Sequence, residues 1–328
     1  MRKIVAFLLA GALAGAGIWL FLVHRAPARH TVVVYEAGRS LASVPLYVAA
    51  VRGYFMQQGI SVRLHMGEPA PSRLAARVDV LVVPFDGLPP GSVTFAVLTR
   101  CPDFFLYGRQ ADPHFKWEDA REKVIVGLEP DADGQVALEY ILRRHKLRPQ
   151  THVHLVQNLP GSLRSPAWEA GTGDYILLSP LEGFLWEQKG KAHYLASLRE
   201  AAPVPGTACA APRASLAARQ DLYARFTAAL QMAQEWIKEH TAEEVAAVTG
   251  PFFPHLRYAT LLQGVRRYRS EGMWAAHPAP GTGPYARLQE MRRQAGETAG
   301  APPFRHSMDP RPAAQAVKLL QEQKKKAP

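Results

Sequence analysis

Short β-branched and apolar runs alternate with helical patterns along most of this chain, and that alternation limits the fold more than any other feature. Thr31-Val-Val-Val-Tyr35 reads as a buried strand. A loop over 36–40 then leads to a helical pattern over 44–56, which Gly59 closes. Residues 60–64 alternate as a strand, and 78–83 and 93–99 are further strand-like runs separated by the proline- and glycine-rich loop 84–91. A second unit repeats the theme. Strands are expected at 104–107, 124–127, 152–156 and 175–178, with helices at 117–123, 135–145 and 180–189. Strands that alternate with helices in this way imply mostly parallel sheets with helices on both faces. From about residue 221 the pattern turns helical. An amphipathic helix over 222–240 is followed by Thr241-Ala-Glu-Glu244, which has capping-box form, and by helices near 258–268 and 285–293. Residues 299–312 read as linker, and 315–326 as one exposed helix.

The N-terminus sets the compartment. Arg2 and Lys3 precede an apolar run from Ile4 to Val23 that ends at His24-Arg25. Its length suits a membrane span of about 20 residues better than a secretory core of about 7–15. Ala26-Pro27-Ala28 nevertheless has the small-x-small form of a cleavage site. Residues 1–29 are therefore expected to be a signal peptide or an N-terminal membrane anchor, with everything after Arg29 exported. No cysteine lies there, which excludes a lipid anchor on cysteine.

The formal charge of +11 raises nucleic acid as a partner, but its distribution argues against one. Basic residues flank the N-terminal run and close the tail at Lys324, Lys325 and Lys326; elsewhere they alternate with acids, with no aromatic-interleaved basic stripe. The two cysteines, Cys101 and Cys209, belong to no CxxC or CxxH cluster, which excludes a four-cysteine zinc site. In an oxidising compartment they either pair or remain two buried thiols.

Four stretches, in this order, resemble the nitrate/sulfonate/bicarbonate and thiamine-pyrimidine-precursor group of substrate-binding proteins of ABC importers. They are Pro45-Leu-Tyr-Val-Ala-Ala-Val-Arg-Gly-Tyr-Phe-Met-Gln-Gln-Gly-Ile60; Asp112-Pro-His-Phe-Lys-Trp-Glu-Asp119 with Val124-Ile-Val-Gly127; Asp174-Tyr-Ile-Leu-Leu-Ser-Pro180 through Glu187-Gln-Lys-Gly-Lys191; and 226–244 with Arg267-Tyr-Arg-Ser-Glu-Gly-Met-Trp274 behind it. The resemblance covers roughly 45–275. It implies an α/β chain with the type II periplasmic-binding-protein fold, two doubly wound lobes joined by a double hinge. Lobe one is expected over 31–103 plus 206–296, lobe two over 104–205, and a Pro/Gly-rich linker with a basic tail over 297–328. On this map Cys101 and Cys209 both lie beside hinge crossings, which makes a disulfide between them possible. The implied partners are a small-molecule solute and an ABC permease in the membrane, with no nucleic acid, no cofactor and no metal, and the protein a monomer.

Ligand contacts in such a fold come from loops at strand ends and from helix N-termini. Arg39, Ser40 and Ser43 occupy the first such loop, although Ser43 also suits a plain helix cap before Pro45. Asp86 follows the strand 78–83 and suits a cationic or amino-bearing ligand, or simply the turn ahead of Gly87. Asp131, Asp133, Gly134 and Gln135 form the corresponding loop in lobe two. The two acids compete with an anion for the helix amides, so they fit a neutral or amino-substituted heterocycle better than a sulfonate, or they merely complement the helix dipole. Ser179 and Thr207 complete the set. Tyr35, Tyr47 and Trp117 can stack on a flat ligand or fill the core. This chain departs from the group at Pro84, Pro89 and Pro90, and in a shortened helix near 72–77.

Enzyme motifs are absent: there is no GxSxG, HExxH, Walker A or GxGxxG pattern, and nothing like the cysteine-rich motif of the pyrimidine-synthesising branch on this fold. His152 and His154 are expected to share one strand face without a third metal ligand. The chain therefore reads as a solute receptor rather than an enzyme. The competing expectation is a membrane-anchored sensor or partner-binding protein with a degenerate site.

Overall fold

The computed structural model describes residues 30–67, 78–297 and 302–326. The apolar run 4–23, the possible cleavage site and the expected helix near 72–77 lie outside them. Among the described residues no helix is long and apolar enough to cross a membrane.

Two five-stranded sheets carry the fold. The first contains β1 (His30–Glu36), β2 (Ile60–Met66), β3 (Val80–Pro84) and β4 (Ser92–Val97), joined late in the chain by β10 (Thr207–Pro212), in the order β2-β1-β3-β10-β4. The second contains β5 (Phe105–Gly108), β6 (Val124–Val126), β7 (His154–Val156), β8 (Tyr175–Leu178) and β9 (His193–Ser197), in the order β7-β6-β8-β5-β9. Position by position the two orders match. In each, three strands pair in parallel, and the fourth strand runs antiparallel to both its neighbours. That odd strand is the one next to a crossing: β5 receives the chain from the first sheet, and β10 brings it back.

Helices supply the parallel crossovers. Helix α1 (Val44–Val51) links β1 to β2, α2 (Asp133–Arg144) links β6 to β7, α3 (Gly161–Glu169) links β7 to β8, and α4 (Pro180–Gln188) follows β8. After β10 come α5 (Gln220–Glu239), α6 (Ala242–Thr249), α7 (Tyr258–Ser270) and α8 (Thr282–Ala295). Thr241 caps α6 as its sequence implies, with its hydroxyl accepting from the Glu244 amide and Glu244 reaching back to the Thr241 amide. The last helix, α9 (Arg311–Lys326), starts earlier than its sequence pattern suggests and is not free. It lies along α5, burying Pro312, Ala313 and Ala316.

The two crossings between sheets, over 98–104 and 198–206, run side by side and bond to one another. The Val204 amide donates to the Arg100 carbonyl (2.9 Å), and the Leu98 amide donates to the Thr207 carbonyl (2.9 Å). Gly206 is required there, because a Cβ would sit 2.0 Å from the Cys101 carbonyl oxygen.

Three local expectations change. The helix expected over 44–56 breaks at Gly53, whose φ of 71° is left-handed, and resumes as one turn, Tyr54–Gln57. His152 precedes β7 instead of sharing it with His154, and its ring faces the Lys146 carbonyl and Arg148. Cys101 and Cys209 are free thiols, both buried. Cys209 is fixed in β10 between Val82 and Ala96, while the Cys101 sulfur turns to the Met273 sulfur at 3.4 Å, so the pairing does not form.

Candidate ligand-binding cleft

In a doubly wound sheet the crevice for a ligand opens where the strand order reverses, beyond the carboxyl ends of the strands. Here two such crevices face each other. The loops after β1, β3, β6 and β8, together with both crossings, enclose a cavity of about 200 Å³. Ser40 and Ser43 reach it from the first sheet's leading loop, and Asp86 from the turn after β3. Asp133 and Gly134 reach it from the start of α2, Ser179 from the start of α4, and Thr207 from the returning crossing. Seven of the ten residues singled out in the sequence are thus brought to one place.

The other three stand elsewhere. Arg39 forms an ion pair with buried Glu36 and lies over the rings of Tyr47 and Phe252. Gln135 is a brace: its side-chain oxygen accepts from the Leu128 amide (2.9 Å) and its nitrogen faces Glu139, which holds the loop before α2. Asp131 lies outside, on the acidic mouth it shares with Asp86, Glu129, Glu297 and Arg292. Nor do the three expected stacking aromatics line the cavity. Tyr35 and Tyr47 are buried, with the Tyr47 hydroxyl donating to Glu36 (2.8 Å), and Trp117 is buried with its indole donating to Glu200 (3.0 Å). The rings that do line it are Phe85 and Phe104.

Three carboxylates stand in an otherwise mostly apolar lining. Asp103, in the outgoing crossing, accepts from the Ser40 hydroxyl at 2.9 Å and from the Tyr268 hydroxyl of α7. It is partly accessible from the cavity, yet burial of the carboxyl pushes its pKa up to about 6 against the pull of those two donors. Asp133 is only 3% exposed, and its Oδ1 takes two bonds from Arg292 of α8, at 2.9 and 2.6 Å. Burial, helped by Asp86 and Asp131 and opposed by Arg292, pushes Asp133 up to about 7. Its other oxygen, Oδ2, is buried with no hydrogen-bond partner among the described residues. Asp86 spans the cleft, with Oδ2 accepting from the Asp133 backbone amide at 2.8 Å. A carboxylate from the first sheet therefore already occupies the N-terminus of α2, the place where an anionic ligand would bind.

Asp103, Tyr268 and Arg292 did not emerge from the sequence. Asp103 had one usable signal, its position at the expected lobe boundary next to Cys101-Pro102. Tyr268 and Arg292 had none, since their partners lie far away in the chain. A larger cavity of about 380 Å³ lies against the crossings beside Trp274 and His277. It shares only Pro205 with the cleft and receives nothing from the loops after β6 and β8.

Two sheets of this strand order, joined by two crossings and facing each other across a cavity, define the periplasmic-binding-protein fold, and this chain has it. No protein-family model matches the chain. It is 27% identical over 279 residues, 81% of its length and 84% of the relative's, to YtlA of Bacillus subtilis (strain 168), a binding protein by name. Among solved structures it is similar to the ligand-binding component of an ABC-type import system from Staphylococcus aureus, with a TM-score of 0.64 and 12% identity over 88% of this chain and 99% of that one. The periplasmic aliphatic sulphonate-binding protein SsuA of Escherichia coli aligns with a TM-score of 0.61 and 13% identity over 84% of this chain and 96% of its own. The resemblance read from the four sequence stretches is thus borne out. Fold alone does not exclude catalysis, because the desulfurization enzyme DszB shares it, with a TM-score of 0.57 and 12% identity over 89% of this chain and all of its own.

Proposed function

We propose that this chain is the extracytoplasmic solute-binding component of an ABC importer, which captures a small organic solute between its lobes and presents it to a membrane permease. The observation that carries this reading is the cavity built from both sheets and both crossings and lined by Ser40, Ser43, Asp86, Asp133, Gly134, Ser179 and Thr207. Lobe one is assigned to 31–103 plus 206–296 and lobe two to 104–205. The N-terminal apolar run then serves as signal or anchor, and the protein works as a monomer. Ligand is held by Ser40, Ser43, Asp86, Asp133, Gly134, Ser179 and Thr207, and favours the closed state through contacts it makes only there.

Binding rather than turnover is what the lining supports. Among the described residues the lining contains no histidine, lysine or cysteine to activate a nucleophile. Of the two ligand types the resemblance implies, a pyrimidine-like solute fits better than a sulfonate, whose charge would meet Asp86, Asp103 and Asp133. A second reading, a sensor or partner-binding protein with a degenerate site, is favoured by one observation. The cavity falls below the ~300–1,000 Å³ of ordinary small-molecule sites.

The test is a thermal-shift screen of the purified protein against sulfonates, nitrate, bicarbonate, aminopyrimidines and thiamine-like compounds. Selective binding to the folded state raises Tm by mass action. A rise with one class, accompanied by compaction in small-angle scattering, supports solute capture. A cooperatively melting protein that responds to no class and keeps one shape supports the sensor reading.

A further inference from the structure

We infer that the solute is a small organic cation, a protonated amine whose counter-ion in the cleft is the Asp133 carboxylate. This rests on the solute-binding reading and narrows it to one charge class.

The argument begins with the orphaned oxygen. Asp133 lines the cavity, is 3% exposed, and leaves Oδ2 without a hydrogen-bond partner. A buried acceptor left unmade costs free energy, and a ligand donor that recovers it has to displace the packing that closes Oδ2 off. The charge balance decides which donor. Asp86, Asp103 and Asp133 line the cavity, and among the described residues no cationic side chain does. The groups facing Asp133 from neighbouring elements are Arg292 of α8, Asp86 of the turn after β3 and Asp131 of its own loop; Arg292 is the one cation, and it engages Oδ1 only. Above about pH 7, where Asp133 is ionised, the cleft thus holds more negative charge than it balances, and an ammonium group answers both the surplus and the empty acceptor.

Two further features fit the same ligand. A neighbouring surface hollow that shares Asp86 with the cavity sets Glu129, Asp131 and Glu297 beside it against Arg292 alone, a net negative field that attracts cations. Inside, Phe85 and Phe104 offer apolar ring surface for a short carbon body and a favourable face for a positive head. An anion at the start of α2 would instead meet the Asp86 carboxylate already bound to the Asp133 amide.

The experiment uses three probes of matched size and different charge: propylammonium, propane-1-sulfonate and neutral propanamide, titrated calorimetrically into the protein at about pH 7.5. The expected result is binding of propylammonium at least ten-fold tighter than of the other two, in sodium and in potassium buffer alike. Asp133→Asn, which keeps the shape and removes the charge, is expected to weaken propylammonium at least ten-fold while the apo protein still melts cooperatively. Equal or tighter binding of the sulfonate or the amide overturns the cation assignment and leaves solute capture standing. Competition by sodium or potassium alone, to the same extent, assigns the site to an inorganic ion and also overturns it. If none of the three binds while the wider screen finds a non-cationic solute, only the charge class fails; silence in both removes the solute reading as well.

Discussion

Raising the pH from about 5 to about 8 should destabilise the ligand-free protein, and the cleft says by how much. Asp133 and Asp103 have folded-state pKa values of about 7 and about 6, well above the ordinary aspartate value of about 3.9. Between the unfolded and folded values the native state holds the extra protons, so stability falls as pH rises through that window. Linkage puts the loss across that range at about 3 kcal/mol for Asp133 and at most about 1 for the more accessible Asp103. A total near 4 kcal/mol lowers a urea midpoint by at least about 1 M. Burial works against the charge on His145, but the Glu118 and Glu200 carboxylates outweigh it and raise its pKa, which adds in the same direction. Carboxylates with lowered values, such as Glu118 and Asp309, lose their contribution only in more acid solution, outside this range. The assay is urea unfolding at several pH values for the wild type, Asp133→Asn and Asp103→Asn. Asp133→Asn should flatten most of the slope. A midpoint that rises with pH through this range, or a slope untouched by Asp133→Asn, would refute the reasoning.

Gly206→Ala should cost about 1–3 kcal/mol or more in urea unfolding, because its Cβ would overlap the Cys101 carbonyl and the Thr99 hydroxyl where the crossings touch. Native protein should react with a thiol reagent far more slowly than unfolded protein, which should show both thiols. Burial raises both pKa values, that of Cys101 to about 12, and rapid native labelling or a missing thiol would contradict this. Asp86→Ala should remove a charge-assisted bond across the cleft worth about 1.5–3 kcal/mol and populate a more open apo form. Scattering should then give a larger radius of gyration, and an unchanged one would mean that the bond does not hold the lobes.

The parts of the fold that could be read in the sequence are those whose side chains announce their surroundings. β1 and β3 are β-branched runs buried between neighbours, and α5 is amphipathic, so periodicity finds them. β10 is hidden for the opposite reason. Its Thr-Ala-Cys-Ala-Ala-Pro sequence has little β propensity, and it becomes a strand because small residues let it fit between β3 and β4. Helix α3 is masked by Gly161 and Pro166, and β9 by its polar ends, His193 and Ser197. The same division holds in the cleft. Loops at strand ends point to the crevice whatever the details of the fold, which is why Asp86, Asp133 and Ser179 were found. Residues that act through a long-range partner give no local sign; Arg292 meets Asp133 across 159 positions.

If the chain captures a solute as proposed, Asp86 ties the charge of that solute to the approach of the two sheets. Its bond to the Asp133 amide is made only when the two sheets are close, so it favours closure in the absence of solute. A bond of about 1.5–3 kcal/mol biases the closed-to-open ratio by roughly 10- to 150-fold. A solute that bound by replacing Asp86 would forfeit that bias and would need stronger contacts elsewhere to close the cleft. A cation leaves the bond in place, pairs with the orphaned Asp133 oxygen, and adds its binding energy to a closure already favoured. A bond that by itself holds the two sheets together suits a sensor with a degenerate site and an amine receptor with an acidic latch alike. What separates the two is whether a cation shifts the balance further.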